Sequence, residues 1–397
     1  MTVVIVGASV AGLRTAQALR MQAYEGDIVL VGEELHPPYD KPPLSKASLL
    51  DGLPVPLLDE QSLEALGVHL RLGVRATALD AVAGVVTLSD GDQLSYSDLV
   101  IATGVTPRSL PGDSPPVGVH VIRTADDAHA LHHAMRRHPR VVVIGAGFIG
   151  AEFAWAARKA GCPVTLVEVQ PVPMAHLLGP EVGGALASLH EEYGAQLLTG
   201  TSVDRLEASA DGHVNAVVLA DGRRLDAELV VVGIGARPAT DWLATSGLPI
   251  ADGVECDDAL RVVGYDHIWA AGDVAAWPHP VYGRLRVEHW TNANEHAGIV
   301  AAGIAGKPAP AAQPPYVWSD QYGHRIQIVG LPVRGSLVAT FGTVDDHLLA
   351  VYADTDGIVV GGVIVDDPRT MMAVRKAIVR RAPADDLVAA LRPASAV

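Results

Sequence analysis

The sequence predicts an α/β protein built on two Rossmann-like dinucleotide-binding domains, and three observations predict it. The run "VVIVGASVAG" (Val3 to Gly12) returns as "VVVIGAGFIG" (Val141 to Gly150): a β-branched strand, a glycine turn, then helix-forming residues. Each copy is followed by another apolar strand that ends in acid, "IVLVGEE" with Glu33 and "VTLVEV" with Glu168. Finally, 49% of residues are hydrophobic but only 5% aromatic, with 40 glycines, as parallel strands packed between small-residue helices require. At 397 residues the chain exceeds one ordinary core, so two or three domains are expected.

The first element, "MTVVIVGASVAGL", is a strand entering a turn; no positive charge precedes its apolar run and glycines break it, so it is not a signal peptide. In each glycine motif the first glycine makes the tight turn, the second admits a pyrophosphate, and the third lets helix and strand pack closely. The phosphates then meet the helix N-terminus. Gly145, Gly147 and Gly150 complete this pattern, whereas the first copy keeps Gly7 and Gly12 but carries Ser9 in the middle. A lone pattern is weak evidence, and its repetition behind two strands is what carries the nucleotide reading. Glu168 is placed to accept hydrogen bonds from ribose hydroxyls and would repel a 2′-phosphate, and Val169-Gln170 supplies no arginine, so NADH is preferred to NADPH.

Between the copies, "LVIATG" (Leu99 to Gly104) and "LVVVGIGARP" (Leu229 to Pro238) read as buried strands ending in glycine turns, where the chain crosses between domains near Arg108 and Pro238. "IWAAGDVA" (Ile268 to Ala275) reads as a strand ending at Gly272-Asp273 before a helix start. Asp273 either caps that helix or binds a ribityl hydroxyl, and taken alone the cap is favoured.

Several classes are excluded or disfavoured. With 29 basic against 45 acidic residues, a formal charge of -16 repels phosphate-rich partners, so neither nucleic-acid nor membrane-surface binding is expected. No apolar stretch approaches the roughly 20 residues that span a bilayer, and a cytoplasmic protein is expected. Cys162 and Cys256 are far apart, without the spacing of a disulfide framework or zinc ribbon, and read as buried thiols. His129, His132 and His133 in "DDAHALHHAMRRH" have helical spacing, but no Asp or Cys completes a ligand set, so they read as a solvated helix face and no metal site is expected.

"PPYDKPPLSK" (Pro37 to Lys46) interrupts this order with four prolines around two lysines. Proline fixes φ and restricts the residue before it, so the segment is an extended path of defined course rather than a linker.

In this order the chain resembles the two-dinucleotide, glutathione-reductase-like flavoproteins, and more closely the NADH-dependent ferredoxin and rubredoxin reductases, of the putidaredoxin reductase type, that feed oxygenases and P450s. The resemblance rests on "GASVAG", "PYDKPPLSK", "LVIATG", "VVVIGAGFIGAEFA", "VTLVEV", "AAGDVA", "EHWTNANEHA" and "YVWSDQYGHRIQIVG", which run from Gly7 to Gly330. It implies a discontinuous FAD-binding domain at 1–109 and 239–313, an NAD-binding domain at 110–238, and a C-terminal α/β interface domain at 314–397, whose strands include "IVVGGVIVD" and whose final helix starts near Arg369. FAD would rest on Gly7, Ser9, Ala11, Gly12, Glu33, Lys41, Pro42, Lys46, the Ala102-Thr103-Gly104 turn, Gly272, Asp273, His289 and Trp290. NADH would rest on Gly145, Gly147, Phe148, Ile149, Gly150, Glu152, Glu168 and the Gly233-Ile234-Gly235 turn. Two departures stand out: Ser9 replaces a glycine, and Lys41 stands where arginine is common, losing a bidentate fork.

Disulfide reductases and NADH oxidases of this architecture carry a redox cysteine after the first ribose carboxylate, where this chain reads "PPLSK". Thiol chemistry is therefore not expected, leaving hydride in and single electrons out. By resemblance Lys46 sits beside the flavin N5 edge, paired with Glu152, and the pair orders the site rather than donating protons. Trp290, flanked by Glu288, His289, Thr291 and Asn292, reads as a ring shielding the flavin, with core packing as its alternative. Tyr316, Trp318 and Gln321 support the same wall or simply pack.

The expected activity is transfer of electrons from NADH through FAD to a small iron-sulfur protein, by a monomer or weak homodimer. Such partners are usually acidic, so Arg284, Arg286, Arg325 and Arg334 are candidate docking cations. The alternatives are rubredoxin reduction, an NADH oxidase, a quinone or other small-acceptor reductase, and, outside catalysis, an NADH-sensing redox scaffold.

Overall fold

In the computed structural model, which describes residues 1–112 and 114–391, the strand Thr2–Val6 lies at the centre of a five-stranded parallel sheet. The order across it is Ile268–Ala270, Asp98–Ile101, Thr2–Val6, Asp27–Gly32 and His69–Leu72. Val3, Val4 and Ile5 are fully buried, which a parallel sheet covered on both faces demands of consecutive residues. The helix Val10–Met21 turns Leu13, Ala16 and Leu19 inward at three-residue intervals and packs against the helix Trp290–Ile304. These elements belong to one compact unit, formed by Met1–Pro43, Pro54–Thr106 and Ala236–Gln313.

A second unit comprises Leu44–Leu53, Pro107–Gly235 and the chain from Pro314. Its parallel sheet runs Val119–His120, Leu229–Val232, Val141–Ile144, Val164–Val167 and Gln196–Leu198. Here too the glycine-bearing strand is central and entirely buried. The repeat goes beyond the glycine motifs, since each unit also holds a three-stranded antiparallel meander, Ala76–Asp80, Val85–Leu88 and Gln93–Ser95 in one and Val203–Ala208, Val214–Leu219 and Arg224–Asp226 in the other. From Pro314 the chain adds an antiparallel sheet ordered Tyr316–Gln321, His324–Gly330, Val359–Val365, Asp346–Ala353 and Ser336–Thr343. The helix Pro368–Val379 lies on it, with Val374 against Gly362, where a Cβ would be 2.8 Å from the valine.

Four details depart from the sequence reading. No α-helix starts at Gly272-Asp273: Gly272–Val274 is a single 3-10 turn and the chain continues as the strand Ala275–His279. The turn's N-cap is Ala271 with no side-chain cap bond, so the capping role weighed for Asp273 is not what this turn uses. The helix beginning at Pro368 is not the final one, because the chain turns at Arg381, φ 52°, and a second helix spans Ala384–Leu391. Lastly, Leu44–Leu53, expected in the first domain, packs in the second unit. Its short helix Ala47–Asp51 meets the helix Ala125–Met135, where His132 Nδ1 donates to the Leu49 carbonyl at 2.9 Å. His132 is therefore partly buried as a docking group, while His129 and His133 stay exposed with Nε2 atoms 3.0 Å apart.

Candidate functional site: two phosphate cradles and a lysine-glutamate pair

In the first unit Gly7 adopts φ 118° and donates its N–H to the Val31 carbonyl at 2.8 Å. A Cβ here would lie 2.1 Å from the Ala102 carbonyl oxygen, so only glycine allows this approach. The cradle is completed by Ser9, N-cap of the helix Val10–Met21, with Ala11 and Gly12 buried behind it. Ser9 makes no side-chain cap bond and the first turn holds no acid, which leaves the helix N-terminal N–H groups for an anion. Beside it Ala102 donates to Val6 O at 2.8 Å, and Thr103 Oγ1 to Ala239 O at 2.8 Å, while Gly104 O accepts the Ala239 N–H. These residues fit the ADP half of FAD.

Gly272, φ 75°, brings the Asp273 turn against this cradle: a Cβ would be 2.9 Å from that of Ala11. Its N–H donates to His296 Nδ1 at 3.2 Å, which fixes that nitrogen as an acceptor. His296 is fully buried, with its ring 5.1 Å from that of Trp277, and burial pushes its pKa down to about 3, helped by His279. Nothing in the sequence motifs singled out His296.

Glu33 stands differently from Glu168. Gly145 donates to Val167 O as Gly7 does to Val31 O, so Glu168 directly follows its strand's bonded valine while Glu33 lies one residue further out. Glu33 is mostly exposed, 3.6 Å from Arg75. The next acid, Glu34, is the one engaged locally: Tyr39 O–H and Lys41 Nζ donate to its carboxylate at 2.5 and 2.7 Å. Lys41, beside Pro42, is thus tied into the proline-rich segment itself.

The second cradle repeats the first with more room. Gly145, φ 100°, passes Gly233, whose carbonyl oxygen would be 2.3 Å from a Cβ. Gly147 is the N-cap of the helix Phe148–Lys159 and a Cβ on it would meet nothing within 4 Å, an open approach at a helix N-terminus whose first turn carries no acid. Glu168 accepts the Ala146 and Gln170 N–H groups at 2.9 and 2.8 Å, which fixes its carboxylate beside the glycine turn. Ile149 and Ile234 are 44% and 39% exposed, large apolar side chains left uncovered near the glycine turn, which suits a ligand groove. Gly235 closes the turn by accepting the Arg108 N–H at 2.9 Å. These residues fit a dinucleotide.

One turn along that helix Glu152 is 3% exposed, and the structure brings Lys46 to it: Nζ lies 2.7 Å from Oε2. Ser45 Oγ donates to the same oxygen at 2.5 Å, and the other oxygen accepts Ser319 Oγ at 2.6 Å and the Asp320 N–H at 3.3 Å. Four donors offset the cost of burying the carboxylate. Neither serine was picked out from the sequence, although both lie inside quoted motifs, "PPLSK" and "WSDQY".

Trp290 opens the helix Trp290–Ile304, after His289 at its N-cap, and its indole N–H donates to the Asp40 carboxylate at 2.6 Å. The bond fixes the ring to the proline-rich segment, and the same ring packs against the core of its unit, so shielding and packing are both served. Of the C-terminal candidates, Tyr316 and Trp318 stack at 6.0 Å, Tyr316 O–H accepts from Gln327, and Gln321 is fully buried behind Ser319, to which it donates at 3.0 Å.

The docking arginines fare unequally. Arg286 is 11% exposed and donates to Asp252, Glu288 and the Asp273 carbonyl, so its charge is spent inside the unit rather than offered to a partner. Arg325 is paired with Asp320 at 2.8 Å. Arg284 and Arg334 are exposed. Both cysteines are buried and free; burial pushes the Cys256 thiol up to about 12 and raises that of Cys162. Among the described residues no cluster could hold a metal, and no helix is long and apolar enough to cross a membrane.

The chain is similar to known proteins along most of its length. Residues 1–297 match the model of the family described as pyridine nucleotide-disulphide oxidoreductase, and residues 316–393 that of the reductase C-terminal domain. Rhodocoxin reductase from Rhodococcus erythropolis is 36% identical, covering 96% of this chain and 90% of that one. The anthranilate 1,2-dioxygenase system ferredoxin–NAD(+) reductase component from Burkholderia cepacia is 38% identical, with 96% and 95% covered. Among solved structures, the covalent putidaredoxin reductase–putidaredoxin complex aligns with a TM-score of 0.93 at 32% identity, covering 98% of both chains.

Proposed function

The chain belongs to the pyridine nucleotide-disulphide oxidoreductase family, and from that premise we propose that it is an NADH-dependent, FAD-containing reductase that passes electrons to a ferredoxin-type iron-sulfur protein serving an oxygenase. The observation that carries the reading is Lys46 on Glu152 where a thiol enzyme of this family would carry its cysteine, with both cysteines of the chain buried and protonated. The similarity to a ferredoxin–NAD(+) reductase component of a dioxygenase system supports the same direction.

Bound FAD would supply a hydride acceptor able to release its electrons singly. The protein's share is binding and orientation. The helix N-termini at Ser9 and Gly147 hold the two pyrophosphates, Asp273 the ribityl chain, and Glu33 and Glu168 the riboses. Glu168 selects NADH, since a 2′-phosphate would meet its carboxylate with no arginine beside it. Lys46 supplies a fixed positive charge held by Glu152, and Trp290, anchored by Asp40, shields the flavin. The partner is transient, the protein is a monomer or weak homodimer of the cytoplasm, and Arg284 and Arg334 remain the arginines available for docking.

Turnover of NADH with oxygen, a quinone and a panel of ferredoxins tests this. Ferredoxin-dependent cytochrome c reduction well above the oxygen and quinone rates is expected; quinone or oxygen rates matching the best ferredoxin would replace the reading with an oxidase or small-acceptor reductase.

A further inference from the structure

The two oxygens of Glu152 are served from different parts of the chain. Oε2 faces the proline-rich segment, taking Lys46 Nζ at 2.7 Å and Ser45 Oγ at 2.5 Å. Oε1 faces the strand Tyr316–Gln321, taking Ser319 Oγ at 2.6 Å and the Asp320 N–H at 3.3 Å. A hydroxyl has one proton to give, and Ser319 gives it to an acceptor-only carboxylate, so its lone pair receives the Gln321 Nε2–H at 3.0 Å. The donors therefore run in one direction, from Gln321 to Ser319 to Glu152. Ser319 is 1% exposed and Gln321 fully buried, so water does not substitute for either.

A carboxylate is planar, and holding one oxygen fixes where the other points. We infer that Ser319 is a positioning residue for the hydride-accepting step: by fixing Oε1 it turns Oε2 toward Lys46 and holds that ammonium in place. The C-terminal segment thereby takes part in the first half of the reaction, in addition to any role it has with the partner protein. The inference rests on the proposed function, because it assigns Ser319 a task only if Lys46 acts at the flavin.

The test is anaerobic reduction of the FAD-loaded protein by NADH, followed by flavin absorbance. Ser319→Ala is expected to keep its flavin and to be reduced about tenfold more slowly at saturating NADH, the loss of one charge-assisted hydrogen bond. Dithionite-reduced Ser319→Ala should pass electrons to ferredoxin at the wild-type rate, and Ser319→Thr, which keeps the hydroxyl, should recover reduction to within about threefold. In a Glu152→Ala background the same Ser319→Ala change should cost nothing further, because the group it positions is gone. Should Ser319→Ala fail to load FAD, Ser319→Cys keeps the volume with a weak donor and gives the same readout. A wild-type reduction rate in Ser319→Ala, or an equal loss with Glu152 already removed, overturns the inference. If instead the wild-type protein reduces no ferredoxin, the proposed function fails while the NADH half-reaction still decides the role of Ser319.

Discussion

Lys46 and Glu152 are unequal partners: the carboxylate is 3% exposed and the ammonium 21%. Removing the lysine would leave Glu152 with neutral donors only, whereas removing the glutamate would leave a lysine still reached by water. Lys46→Ala is therefore expected to cost about 3 kcal/mol of stability and to slow flavin reduction by NADH. Thermal unfolding and anaerobic reduction measure the two effects; wild-type flavin content together with wild-type reduction would remove Lys46 from the site. The pair was expected from the family resemblance, because both residues fall in motifs that carry it. Their two serines were not, since Ser319 reaches Glu152 across 167 positions of sequence, and no periodicity encodes a contact made by folding. Arg286 shows the converse: a cation beside a flavin motif reads as a docking group until its three partners are seen.

At the scale of elements, the two helix N-termini differ in a testable way. A Cβ at Gly147 would meet no protein atom within 4 Å, so Gly147→Ala should leave the fold intact, with a thermal midpoint within about 3 °C of wild type. It should raise the KM for NADH about tenfold by displacing the pyrophosphate. Unchanged KM would mean the dinucleotide does not lie there. The Gly272–Val274 turn makes a pH argument. It hangs on His296 as a neutral acceptor, with a folded pKa of about 3 against about 6.5 when unfolded. The unfolded chain thus takes up this proton first, and the stability the buried neutral ring contributes is present above about pH 6.5 and lost as pH falls toward 3. Buried His190, at about 4, acts in the same direction. The thermal midpoint should drop between about pH 7 and pH 5, with flavin release alongside, and less steeply in His296→Gln; parallel curves would remove His296 from the effect. The strands behind both cradles could be read from β-branched runs, but the turn at Gly272 could not, because Gly-Asp after a strand suits a helix start as well as a 3-10 turn.

For the whole molecule, duplication explains why so much of the fold was readable: one strand-turn-helix pattern written twice predicts two parallel sheets of matching order. The antiparallel meanders leave little mark in the sequence because their short strands alternate weakly, and the path of Leu44–Leu53 into the second unit follows from contacts such as His132 with Leu49 rather than from composition. With a net charge of -16, an acidic partner must find a local cation such as Arg284 or Arg334. The central claim is that electrons leave by way of flavin alone, with no thiol between NADH and the iron-sulfur protein. Its most direct test is the double variant Cys162→Ala, Cys256→Ala, reduced anaerobically with NADH and mixed with an excess of cognate ferredoxin while reduced ferredoxin is counted. The thiol-free protein is expected to deliver both electrons of each NADH as two singly reduced ferredoxins at the wild-type rate; loss of transfer in that variant, with its flavin retained, would contradict a thiol-free route.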